Sequence, residues 1–148
     1  TQAKSVDSVR QGLGRAGRRA MEVAGITPQD LDVAMIYDSF SFTPLIALEG
    51  FGICGPGEAG DWVLEGNAKL SGKLPMNTHG GLLRQAHLGA MHHIVEAALQ
   101  LRGEADDTGR GGGNHQVPGA KLAITNGSGG ILAATSALVL SSEPPSAA

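Results

Sequence analysis

The chain has 148 residues, of which 41% are hydrophobic and 3% aromatic, with 23 glycines, one cysteine and a formal net charge of -3. That length supports one domain with a working core, and the composition implies an Ala/Val/Leu interior threaded by tight turns. The charge leaves no basic footprint for nucleic acid, and no apolar run is long enough to span a membrane. A single cysteine excludes an internal disulfide and a Cys-rich zinc site, and it suits a reducing cytoplasm.

From Val6 to Val23, apolar or small residues recur at Val6, Val9, Leu13, Ala16, Ala20 and Val23, the spacing of one helix face. Gly12, Gly14 and Gly17 interrupt it, and each glycine costs about 1 kcal/mol in a helix interior, so tertiary packing has to hold this helix. Arg10, Arg15, Arg18 and Arg19 form a solvated face, and Gly25 ends the helix. Thr27-Pro28-Gln29-Asp30 then signals a single turn: a hydroxyl cap, proline at the first helical position and an acid at the third. Leu31 to Tyr37 is a short apolar run broken by Asp32, expected as a strand buried on both faces. Asp38 to Ser41 forms the turn at its C-terminal end, where open α/β sheets place ligands. Thr43-Pro44 starts another helix with Leu45, Ile46, Leu48 and Phe51 inward, and a glycine-rich loop follows with a short helix around Asp61 to Leu64.

The most informative stretch runs from Leu74 to Ala98. Gly80 and Gly81 let backbone come close to a ligand, and ten residues after Asn77 the imidazole of His87 sits where a loop enters a helix. Leu88 to Leu101 is that helix, with Ala90, Ile94, Ala97, Ala98 and Leu101 as its apolar face, ending at Gly103. Glu104 to Gln116 is expected as a flexible surface insertion. Ala120 to Thr125 is a strand, Asn126 to Gly130 a turn, Ile131 to Leu140 a final strand, and 141–148 a frayed tail. Residues 1–140 thus form one layered α/β domain.

An imidazole titrates near neutral pH and serves as a general base, which makes His87 the first candidate for catalysis. Tyr37, at the strand end, offers a phenol that can donate to a developing oxyanion or carry a proton. His79 either lines the same pocket or bonds the backbone of the Gly-Gly turn, and Asn77 either touches substrate or holds its loop. His92 and His93 are expected to be structural or solvent-facing, because consecutive helical residues point apart. No His pair lies four apart and no His-Glu-x-x-His run exists, so no metal site is expected. Cys54 is expected to be an inert thiol, and Ser128 lies in no Gly-x-Ser-x-Gly elbow.

Three segments carry a family resemblance. Asn77-Thr78-His79-Gly80-Gly81 followed by Ala86-His87-Leu88-Gly89-Ala90 resembles the Asn-x-x-Gly-Gly and Gly-His-Pro-x-Gly-Ala segments of the thiolase superfamily. Here Ala86 replaces a glycine, the proline is absent and the segment is one residue shorter. Ile36-Tyr37-Asp38-Ser39-Phe40 resembles the motif that ends the family's first C-terminal strand, with Tyr37 where the family keeps an Asn or His. Phe51 to Gly60, leading into Leu74-Pro75, is similar to the Phe-Cys-Pro-x-Gly-Glu run of the sterol-carrier-protein-type branch.

The resemblance implies a thiolase-like C-terminal domain, a mixed sheet flanked by helices, acting on acyl-CoA thioesters with no resident cofactor. It implies His87 and Tyr37 as catalytic residues, with Asn77, His79, Gly80, Gly81 and Gly129 at the substrate. It further implies a nucleophile-bearing N-terminal half as partner and a homodimer, and so a C-terminal fragment or one product of a divided enzyme. Condensing thiolases keep a second cysteine near the last glycine turn, and Ile124 to Gly130 has none. That favours a variant similar to the thiolase-like retro-aldolases of steroid and lipid side-chain breakdown, which work with a small OB-fold, zinc-ribbon protein. A degenerate module that binds lipid or CoA esters without catalysis is the competing expectation.

Overall fold

The computed structural model describes residues 5–108, 113–129 and 134–144. Its helices are α1 (Val6–Ala24), α2 (Thr43–Phe51), α3 (Ala59–Leu64), α4 (Gly81–Arg84) and α5 (Met91–Arg102), with strands β1 (Val33–Met35), β2 (Leu122–Gly129) and β3 (Ala134–Ser141). The sheet has the order β1-β2-β3, β1 parallel to β2 and β2 antiparallel to β3. The chain is therefore α/β with a mixed sheet between helical layers.

Alternation along β1 divides the interior in two. Ala34 and Ile36 face a core shared with α1 and α2 through Leu13, Met21, Ile46, Ala47 and Phe51. Val33 and Met35 face Ala97 of α5 together with Val117, Ala120 and Ala123. A strand buried on both faces loses its hydrophobic-polar alternation, as Leu31 to Tyr37 does.

Helix α1 is capped by the Ser5 hydroxyl, which accepts from the Ser8 N–H at 3.2 Å, and it closes on Gly25 in the left-handed region. Its glycines are contact points. A Cβ on Gly14 would press on the Gly50 carbonyl of α2 at 2.5 Å, and one on Gly17 would enter the Phe51 ring. Tertiary contact thus explains two residues that local propensity counts against the helix. The Thr27–Asp30 turn carries its capping box, the Asp30 carboxylate accepting from the Thr27 N–H and hydroxyl at 2.7 Å.

Two expectations change. Helix α5 buries His92, His93, Glu96, Ala97 and Gln100, so its deepest face is polar apart from Ala97. Asn126 to Gly129, expected as a turn, continues β2 in register with Ala134 to Ala137, and residues 130–133 lie outside the described residues. Within the expected insertion, the Gln116 side chain donates to the Gln100 carbonyl at 2.9 Å, and Asp106 accepts from the His115 N–H at 2.6 Å. Residues 109–112 of that insertion and 145–148 of the tail lie outside the described residues.

Candidate active site

The site is built where β1 runs out. Beyond Met35 the chain leaves the strand, and its backbone partners become side chains. Asn77 accepts from the Ile36 N–H at 2.7 Å and donates to the Ile36 carbonyl at 2.9 Å. Asn126 of β2 accepts from the Tyr37 N–H at 2.8 Å. Two asparagines thus replace neighbouring strands on either side and fix where Tyr37 emerges. Asn77 has φ 45°, a left-handed conformation that asparagine tolerates better than most residues.

The Tyr37 phenol lies 2.8 Å from His87 Nε2, with the two rings edge-on at 64°. Tyr37 is buried, whereas His87 lies in an exposed stretch between α4 and α5. The phenol is therefore held from inside, and its hydroxyl meets an imidazole that solvent and ligand can reach. The two residues singled out from sequence meet at the C-terminal edge of the sheet.

Asp38 anchors the next layer. It accepts from the Leu82 N–H at 3.0 and 3.2 Å, at the start of α4, and lies 3.4 Å from His93 Nε2. Burial alone would raise its pKa, but the His93 ring and the Leu82 N–H together hold the carboxyl below the ordinary value. Gly81, at φ 67°, leaves room for this carboxylate, which a Cβ there would strike. Gly80, at φ 93°, has Arg84 where its Cβ would go.

The remaining expected ligand residues are placed differently. Both polar ends of Asn77 are used on Ile36, so the residue holds its loop. His79 is 1% exposed and turned inward, its ring centroid 5.3 Å from that of His92 and 5.1 Å from that of His93. Neither of its ring nitrogens has a hydrogen-bond partner among the described residues, so it does not bond the Gly-Gly backbone. Burial pushes His79 down to about 4, aided by His93 and His92 and opposed by the Glu96 and Asp38 carboxylates. Gly129 ends β2 with open space where a Cβ would go, whereas at Gly127 that Cβ would lie 3.1 Å from Ala90 and 3.2 Å from Ser136.

His92 and His93 are buried, and their rings lie 4.6 Å apart, where consecutive helical residues were expected to diverge. Their shared neighbour His79 fills the space between α5 and the Asn77 loop. The fully buried Glu96, one turn further along α5, accepts from the Thr78 hydroxyl at 2.6 Å and from Gln100 at 3.0 Å. Sequence reasoning missed Asn126 and Glu96 as site-builders and gave Asp38 only a place in the turn after the strand, whereas it reaches the Leu82 N–H. The i, i+3, i+4 spacing of His92, His93, Glu96 and Gln100 was the available signal. Cys54 is pushed up to about 11 by burial and by the Glu49 and Glu58 carboxylates, so it stays a protonated thiol at neutral pH.

Comparison with known proteins defines the class. The family described as thiolase C-terminal domain-like matches residues 2–142, and the chain belongs to that family. Over 91 residues, 62% of this chain and 24% of the relative, it is 44% identical to a 17-hydroxy-3-oxo-4-pregnene-20-carboxyl-CoA lyase of Mycobacterium tuberculosis. Over 125 residues, 81% of this chain and 22% of the relative, it is 40% identical to sterol carrier protein 2 of Bos taurus. A solved structure described as an Ltp2-ChsH2(DUF35) aldolase superposes with a TM-score of 0.74 and 28% identity, covering 88% of this chain and 32% of that one. The chain thus spans about a quarter of the length of the curated relatives it matches.

Proposed function

We propose that this chain is the C-terminal domain of a thiolase-like enzyme that cleaves a carbon-carbon bond beside the carbonyl of an acyl-CoA thioester by retro-aldol chemistry. The observation that supports this most is the 2.8 Å contact between the Tyr37 phenol and His87 Nε2 at the sheet edge. A phenol backed by an imidazole is suited to moving a proton.

In a β-hydroxy thioester the hydroxyl proton passes to the Tyr37–His87 pair as the bond between the α and β carbons breaks. The β carbon leaves as a ketone or aldehyde, and the electron pair enters the thioester as an enolate. The α carbon then takes a proton back, so the reaction is redox-neutral and returns the pair to its starting state. With the Nδ1 tautomer of His87, Nε2 accepts from the phenol, which in turn faces the substrate oxygen. The lyase and aldolase named among the relatives favour this direction over acyl transfer, as does the missing second cysteine.

The partners this reading requires are the N-terminal half of the fold and a second subunit, as the name Ltp2-ChsH2(DUF35) aldolase joins two proteins; the family resemblance makes that subunit a small OB-fold, zinc-ribbon protein. The test is the full-length protein, with and without such a subunit, given a β-hydroxyacyl-CoA and, separately, a β-ketoacyl-CoA with free CoA. Release of the carbonyl fragment from the first substrate supports retro-aldol cleavage. Thiolysis of the second alone replaces it with acyl transfer, and turnover of neither, with acyl-CoA still bound, leaves a binding module.

A further inference from the structure

From the geometry of His79, His92 and His93 we infer a buried binding site for one divalent transition-metal ion, of the borderline kind exemplified by zinc. One ring nitrogen from each of the three histidines lies within 4.8 Å of the others, and all three residues are buried. Imidazoles around zinc sit about 2.0–2.1 Å from the ion, which brings neighbouring nitrogens to roughly 3.4 Å, so small ring rotations close the triangle.

The hydrogen bonding selects the donor atoms. The Ile36 carbonyl, which can only accept, lies 2.9 Å from His93 Nε2, so Nε2 carries a proton and Nδ1 is the nitrogen through which the ring would bind an ion. Nδ1 is buried and has no hydrogen-bond partner among the described residues. A ring held by a carbonyl on one nitrogen, with an open lone pair on the other, is how metal-binding histidines are oriented. His79 likewise has both nitrogens buried and unpartnered among the described residues, so either can turn a lone pair toward the ion.

Charge is met from the same helix. Glu96 lies three and four residues after His93 and His92, is fully buried, and has Oε2 without a partner among the described residues. Its Oε1 is engaged by Thr78 and Gln100, which fixes the carboxylate in place. Asp38 lies on the far side of His93, at 3.4 Å. Two carboxylates beside three imidazoles supply the negative charge and the nitrogen donors that a dication takes. The ion would tie the Asn77–Gly81 loop to α5, next to the Tyr37 ring, whose centroid is 6.3 Å from that of His93. This inference stands on the histidine geometry and not on the proposed reaction.

The test is Co2+ and Zn2+ titration of the purified protein after chelation and dialysis, with both metals as the probes. One Co2+ per chain should bind and give the intense visible absorption of a four-coordinate site, and Zn2+ should displace it and raise Tm. His92→Phe, which keeps ring volume and removes a ligand, should weaken binding at least 100-fold, and Glu96→Gln about tenfold. Cys54→Ser should leave affinity within twofold. No saturable absorption, or His92→Phe binding as the parent does, overturns the site. If His92→Phe fails to fold, imidazole NMR of the parent decides: Zn2+ must move the His79, His92 and His93 resonances. Shifts confined to His87 and His115 reject the assignment.

Discussion

The side chain of Asn77 pairs with the backbone of Ile36 as a strand would, accepting at 2.7 Å and donating at 2.9 Å. One amide therefore completes the sheet at the point where the chain must leave it to present Tyr37. Asn77→Ala removes both bonds, leaves the Ile36 N–H unsatisfied and puts alanine at φ 45°. The expected loss is about 2–3 kcal/mol of stability. Urea unfolding should show a lower midpoint with an unchanged m-value.

The glycines of α1 should separate by substitution. Gly17→Ala drives a methyl into Phe51 and should destabilise by about 1–3 kcal/mol. Gly12, on the same helix, has nothing within 4 Å of where a Cβ would sit, so Gly12→Ala should stabilise by about 0.5–1 kcal/mol. Thermal unfolding of the two variants, with Tm moving in opposite directions, checks both.

Cys54 should be slow to alkylate. Burial and the neighbouring Glu49 and Glu58 carboxylates disfavour the thiolate, moving the pKa up to about 11, so the reactive form grows only as pH climbs toward that value. Iodoacetamide labelling of the folded protein should still be rising at about pH 10, where an ordinary thiol has levelled off. Glu58→Gln removes one carboxylate and should shift that profile to lower pH.

The sequence carried some of this arrangement openly and concealed the rest for physical reasons. Gly25 and the Thr27–Asp30 turn are local signals, and β1 shows its double burial in an unbroken apolar run. Tyr37 and His87 are fifty residues apart, and only the family resemblance related them. The buried face of α5 escaped because hydrophobic periodicity selects Ala90, Ile94 and Leu101, while the interior there holds His92, His93, Glu96 and Gln100, of which His93 reaches the Ile36 carbonyl and Gln100 the His115 carbonyl. Asn126-Gly127-Ser128-Gly129 has the composition of a turn. It forms strand because the Asn126 side chain is needed across the sheet on Tyr37, and because Gly127 lets Ala90 and Ser136 approach.

The most direct test of the central claim is a double-mutant cycle on Tyr37→Phe and His87→Ala in the full-length protein, read as kcat/KM for β-hydroxyacyl-CoA cleavage. If the phenol and the imidazole move one proton as a unit, each single variant should lose about 100-fold or more, and the double variant should be no more than about twofold worse than the poorer single. Losses that multiply, or parental rates in either single variant, would contradict the account.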